Sequence, residues 1–190
     1  MKRTLVALIT LGLSFSALTA CTETPSMNKT YMSGDGTVTE FKPMARTKAV
    51  TWSGVDSDGY QLGSENLTGV VTVLNFWYAA CTACRVETPD LVALSNEFKN
   101  QAQFVGVNVR DTADTANAFK RSFKVPFPTI IDASSGSVLL SFTGIVTPSA
   151  VPTTLVIDKQ GKVAARILGV AEKATLKALI KTVTAEVLPD

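Results

Sequence analysis

Two cysteines separated by two residues, Cys81-Thr82-Ala83-Cys84, stand where a strand-like run gives way to a helix-like run. The thiolate is the reactive form of cysteine, and a free cysteine is mostly protonated at neutral pH. A helix N-terminus favours the anion through its unpaired N–H groups and its dipole. Cys81 lies at that end and is expected to be the attacking, more exposed thiol. Cys84, one turn later, is expected to be buried and to resolve a mixed disulfide. Two intervening residues let the sulfurs reach bonding distance within one turn.

The rest of the composition narrows the chemistry. The chain has 3 cysteines and 0 histidines. That excludes a Cys–His or Ser–His nucleophile pair and any His-containing zinc site. Arg85 follows Cys84, so this is not a haem-attachment motif, which needs histidine there. Half a metal site remains an alternative, but the two missing ligands would have to be carboxylates or come from a second subunit. A purely structural disulfide is the other alternative, and so short a loop stabilises little. Cycling between dithiol and disulfide, with no metal and no separate cofactor, is the leading reading.

The elements that must hold this pair can be read from periodicity. Val70 to Phe76 is a continuous apolar run rich in β-branched residues, as a buried strand requires. Leu91, Leu94 and Phe98 then recur at helical spacing. Phe104 to Val109 is a second strand. Asp111 or Thr112 can cap a helix carrying Ala116, Phe119 and Phe123 on one face. Phe127 to Ile131 reads as a strand and Ser137 to Phe142 as a short helix. Thr153 to Ile157 and Val163 to Leu168 are strands joined across Asp158-Lys159-Gln160-Gly161, with Gly where a positive φ is wanted. A last helix places Leu176, Leu179, Ile180, Val183 and Val187 on one face. Val50 to Trp52 and the turn Asp56-Ser57-Asp58-Gly59 suggest a short N-terminal hairpin. Strands alternating with helices imply an α/β fold with a mixed central sheet flanked by helices.

Residues 1–20 read as a secretory signal. Met1-Lys2-Arg3 is the basic start, and the apolar stretch from Leu5 to Leu18 is too short and diluted for a membrane span. It ends in Leu18-Thr19-Ala20-Cys21, which resembles the bacterial lipobox, so Cys21 is expected to carry lipid after cleavage. The alternative is ordinary cleavage that leaves Cys21 a free thiol. Residues 21–45 are read as the lipidated Cys21 and a flexible tether, being rich in Thr, Ser, Gly, Asn and Pro. The folded domain is then residues 46–190. The formal net charge is +2, but the leader carries Lys2 and Arg3 and no acid, so the mature chain is neutral. No basic run points to nucleic acid.

Several short motifs together resemble the TlpA/ResA-like thioredoxin family of thiol–disulfide oxidoreductases. They are Asn75-Phe76-Trp77, Cys81-Thr82-Ala83-Cys84-Arg85, Glu87, Pro89, and Val151-Pro152-Thr153-Thr154 followed by Leu155-Val156-Ile157-Asp158. The resemblance implies a thioredoxin-like fold with an N-terminal hairpin and a central insert over Asp111 to Lys124. It implies that Pro152 is cis, opposite the cysteines, and that the backbone of Val151 is free to pair with an extended substrate. Trp77, Val151 and Thr153 are accordingly expected in substrate binding. Glu87 is expected near the cysteines as a proton carrier with a raised pKa, alongside Cys81, Cys84 and Pro152. Asn75 takes the place of thioredoxin's buried acid. Ala80 and Ala83 depart from the usual Trp and Pro.

The expected function is a membrane-tethered, extracytoplasmic thiol–disulfide oxidoreductase acting on thiols or disulfides of exported proteins. The resemblance favours a reductant, for example in cytochrome c maturation, served by a membrane electron-transfer partner. The alternatives are an oxidant that forms disulfides, a peroxiredoxin-like thiol peroxidase, and a non-enzymatic binding lipoprotein. A monomer is expected.

Overall fold

The run of Val, Leu, Phe and Trp up to the cysteines is a strand, all seven residues of it buried. It has no polar alternation because both its faces are covered. The coordinates are a computed structural model and describe residues 28–34, 36–147 and 149–187. The leader and Cys21 lie outside the described residues.

In chain order the elements are β1 (Asn28–Ser33), β2 (Gly36–Phe41), β3 (Ser53–Val55), β4 (Gln61–Gly63), β5 (Val71–Trp77) and α1 (Thr82–Glu97). There follow β6 (Ala102–Asn108), α2 (Ala113–Phe123), β7 (Thr129–Ile131), α3 (Ser137–Ser141), β8 (Thr153–Ile157), β9 (Val163–Leu168) and α4 (Lys173–Ala185). Seven strands form one sheet in the order β1-β2-β9-β8-β5-β6-β7, with β3 and β4 as a separate pair. β5, β6 and β7 run parallel, and the other neighbours are antiparallel. This is the expected mixed sheet.

The period of two along β5 assigns its faces. Val71 and Val73 pack with Leu91 and Leu94 of α1 and Leu176 and Ile180 of α4. Leu74 and Phe76 pack on the other side with Trp52, Val138 and Phe142. Asn75 and Trp77 therefore lie on the α1 side, beneath the cysteines.

Three expectations need correction. Residues 28–41 are not tether: β1 and β2 pair throughout, and β2 adds to the sheet from Thr37↔Leu168 to Glu40↔Ala165. Val38 is fully buried and faces Tyr31 across the hairpin. Strands that bury only one face need only every second residue apolar, so their signal was lost in a Thr/Ser/Gly-rich composition. The folded domain thus begins at the hairpin, not at residue 46. Second, the hairpin around Asp56 starts at Ser53 rather than Val50, with Ser53 opposite Gly63. Its turn is held by Asp56, whose Oδ1 accepts the N–H groups of Asp58 and Tyr60. Third, α4 stops at Ala185, and Val187 is exposed. Glu186 leaves the helix with extended backbone and pairs with Arg46.

Candidate active site

β5 delivers the chain to a three-residue turn, Tyr78-Ala79-Ala80, and α1 begins at Thr82. Cys81 is the N-cap of α1: its Sγ accepts the N–H of Cys84 at 3.0 Å. Its carbonyl accepts the N–H of Arg85 at 3.1 Å. The sequence thus places the sulfur where an orphan helix donor points at it. Cys81 and Cys84 form a disulfide with Cα atoms 5.2 Å apart. Cys81 is 5% exposed and Cys84 1%, so the expected order of exposure holds although both are largely covered.

Trp77, Ala116 and Phe119 form the apolar bed of the pair, joined by Tyr78, Ala83 and Val151. The rings of Trp77 and Phe119 are 4.5 Å apart, and Phe119 stacks on Phe123 at 4.4 Å. The insert helix α2 therefore supplies one wall of the site. Trp77 packs in that wall and is 5% exposed, as Cys81 is.

A polar clamp holds the turn before Cys81. The N–H of Ala79 donates to Asp111 Oδ2 at 2.6 Å, and the same oxygen accepts Asn108 Nδ2 at 2.8 Å. Asn108 Oδ1 in turn accepts the N–H groups of Arg110 and Asp111. Arg85 Nη1 donates to the carbonyl of Ala79 at 3.2 Å. The Arg110 guanidinium lies 4.1 Å from the centre of the Tyr78 ring. Sequence reading missed Asn108 and Arg110 and took Asp111 only as a possible cap; Thr112 is the cap of α2. An Asn three residues before an Asp at a strand end was the available signal, since such side chains bond their own backbone.

Glu87 lies on α1 one turn beyond Cys84 and is 1% exposed. Asn75 Nδ2 donates to its Oε1 at 2.8 Å, and the N–H of Ala171 donates to its Oε2 at 2.7 Å. Asn75 also donates to Thr154 Oγ1 at 3.0 Å. Burial raises the Glu87 pKa to about 7, against the opposing pull of the Ala171 and Asn75 donors. No cation balances it among the described residues. A carboxyl there exchanges a proton near neutrality.

The Val151–Pro152 bond is cis, as the resemblance implies. Val151 packs against the cysteine cluster. Its N–H is not free as expected but donates to the carbonyl of Ser149 at 3.2 Å. Thr153 is fully buried, and its hydroxyl donates to the carbonyl of Ala150. It braces the loop from within and offers a partner no side-chain contact. A hollow of about 250 Å³ lined by Trp52, Thr72, Ile157 and Gly161 lies at the other end of β5, away from the cysteines. Among the described residues no three potential metal ligands lie together.

This geometry can be set beside known proteins. A family model described as AhpC/TSA family matches residues 45–166, more than half of the chain. The chain belongs to the AhpC/TSA family. Within it, the similarity is to thiol–disulfide oxidoreductases. The thiol-disulfide oxidoreductase ResA of Bacillus thuringiensis (strain Al Hakam) is 28% identical over 130 residues, covering 68% of this chain and 72% of ResA. The thiol:disulfide interchange protein HelX of Rhodobacter capsulatus is 34% identical over 101 residues, 53% of each chain. A secreted thiol-disulfide isomerase from Corynebacterium glutamicum superposes with a TM-score of 0.73 at 26% identity, covering 84% of this chain and 99% of that one. The fold is thioredoxin-like, and the chain is a thiol–disulfide oxidoreductase of this family, as the motifs led one to expect.

Proposed function

We propose that the protein works outside the cytoplasm, anchored to a bacterial membrane by lipid on Cys21, and reduces disulfides in exported proteins. Cys81 and Cys84 are the exchanging pair. The Cys81 thiolate attacks one sulfur of a partner disulfide and forms a mixed disulfide, releasing one partner thiolate, which takes up a proton. Cys84, as thiolate, then attacks Cys81 Sγ, releasing the second partner thiol. Two electrons pass to the partner and the Cys81–Cys84 bond closes. Pro152 and the carbonyl of Val151 offer the backbone edge beside which an extended partner lies.

The observation that carries the direction is Glu87, buried one turn from Cys84 without a cation. An anion in that position disfavours a neighbouring thiolate, and a less stabilised dithiol form is the stronger reductant. Arg85 and Arg110 act the other way but are exposed, so solvent and salt screen them more than buried Glu87 is screened. The similarity to ResA and HelX supports the same direction through the reducing branch of the TlpA/ResA-like family. Apocytochrome c is one substrate of that branch, and a membrane electron carrier would recharge the pair.

Titration of the full-length protein in redox buffers tests the direction. A potential near or below about −270 mV supports the reductant, and one near about −120 mV makes it a disulfide-forming oxidant. Cys81→Ser should abolish exchange, and Cys84→Ser should trap the mixed disulfide. Cys21→Ala should move the protein out of the membrane fraction.

A further inference from the structure

Two guanidiniums contact the turn that leads into Cys81, from two different parts of the fold. Arg85 comes from the first turn of α1 and Arg110 from the connection between β6 and α2. Both are exposed. Neither forms an ion pair among the described residues. Yet both are held in place. Arg85 bonds the carbonyl of Ala79 and lies over the rings of Phe123 and Phe119, at 5.1 and 5.6 Å. Arg110 lies over Tyr78, and its own N–H is fixed by Asn108. Tyr78 and Ala79 stand three and two residues before Cys81, so their Cα atoms lie within about 11 Å of it. That exceeds the Debye length of about 8 Å at physiological salt, so the two charges act most strongly at low ionic strength.

The acid in this cluster is Asp111. Its Oδ2 accepts the Ala79 N–H and the Asn108 amide, and it forms no close ion pair with either arginine. Lys120 is already paired with Asp58. The rim of the site therefore keeps two cations against one occupied carboxylate, on a chain whose residues 21–190 carry no net formal charge. The rings lie against the guanidiniums, and apart from the Arg85 Nη1 bonded to Ala79 their N–H groups remain available to carboxylate oxygens. Much of the ordering cost of these long side chains is met before a partner arrives.

We propose that Arg85 and Arg110 select partner segments bearing carboxylates beside the reacting disulfide. This deepens, and rests on, the reading of Cys81–Cys84 as an exchanging pair. The selection acts at docking; the bonds made and broken are those already given, with two electrons and two protons passing to the partner.

The test uses two synthetic peptides, each closed by one internal disulfide, with Glu flanking the cysteines in one and Gln in the other. The full-length protein is reduced, freed of reductant and mixed with each, and exchange is followed by stopped flow. The Glu peptide should react about three- to tenfold faster at low ionic strength, and the ratio should shrink in high salt. In the double variant Arg85→Gln, Arg110→Gln the ratio should fall to near one, and in Arg85→Lys, Arg110→Lys most of it should return. Equal rates for the two peptides with the unaltered protein overturn the proposal and leave the oxidoreductase reading standing. A loss shared equally by both peptides in the double Gln variant, with the Glu-to-Gln ratio unchanged, also overturns it, because the arginines then act only through the Cys81 thiolate. Reaction with neither peptide overturns the reductant reading on which the proposal rests.

Discussion

Two regions of this molecule bury carboxylates and treat them in opposite ways. Glu87 lies near the cysteines, where its oxygens meet only neutral donors, Asn75 and the Ala171 N–H. Asp158 lies at the far end of β8, where Arg46 Nη1 meets its Oδ2 at 2.8 Å. Arg46 also holds Glu186 through two bonds of 2.6 Å. Burial works against the Arg46 charge, but the bonds and charges of Glu186 and Asp158 more than offset it and raise its pKa. The side chains of Arg46 and Asp158 are almost as inaccessible as Glu87. Depth of burial is therefore not what separates them. A cation makes the far site a fixed joint between the N-terminal segment, the β8–β9 turn and the end of α4. Neutral donors leave the near site able to gain or lose a proton.

The contrast can be broken most forcefully at the joint. Arg46→Met strands Asp158 and should cost about 3–5 kcal/mol in urea unfolding. Per folded molecule, exchange should continue at the unaltered rate, because the joint is remote from the cysteines. A cost under about 1 kcal/mol would show that the joint is not what the ion pairs suggest.

Glu87→Gln is next in size and depends on pH. The folded Glu87 pKa of about 7 lies above the ordinary value of 4.5, so the folded state holds the proton longer than the unfolded chain. Glu87 therefore lowers stability progressively as pH rises from about 4.5 to 7, by up to about 3 kcal/mol. The Gln variant should lack that decline, so its stability relative to the unaltered protein should rise across the same window. It need not strand a donor. If the Asn75 amide turns over, its oxygen can accept from the amide introduced by the substitution and from the Thr154 hydroxyl. Denaturation curves at pH 4.5 and pH 8 test the sign, and the inflection of the exchange rate near neutrality should flatten.

Thr154→Val removes one acceptor of Asn75 and should cost about 1 kcal/mol, read from the midpoint of urea unfolding. At the small end, Lys177→Gln breaks the half-exposed pair with Glu97, 2.7 Å long, and should change stability by no more than about 0.5 kcal/mol. An effect as large as that of Arg46 would undo the ordering by burial on which the contrast rests.

The cysteine pair was legible because its spacing, its place between an apolar run and a helix repeat, the absence of histidine and the neighbouring motifs all point to the same chemistry. β5, α1, α2 and the β8–β9 hairpin were legible for the same local reason, each having a clear period or a turn signal. Glu87 and Pro152 came from resemblance, and the structure supplies what resemblance could not, the Asn75, Thr154 and Ala171 groups around the carboxyl. Those partners are distant in sequence, and no local pattern links Glu87 to Ala171. The clamp of Asn108 and Asp111 on Ala79 was hidden likewise. Trp77 and Thr153 were expected in substrate binding from the resemblance, and the structure buries both side chains. The first hairpin escaped because composition averages over the alternation that Tyr31 and Val38 carry.

That hairpin alters the reach of the domain. With lipid on Cys21, a stem of residues 22–27 spans at most about 20 Å, against about 80 Å for residues 22–45. It also sets an orientation. Thr37, Leu168, Thr153 and Phe76 are in register at the cysteine end of the sheet, while Asn28 enters opposite Phe41 at the other end, about 14 Å below. Under the proposed anchor, the short segment before Asn28 and the length of the sheet, rather than a long tether, set how far the disulfide stands from the lipid.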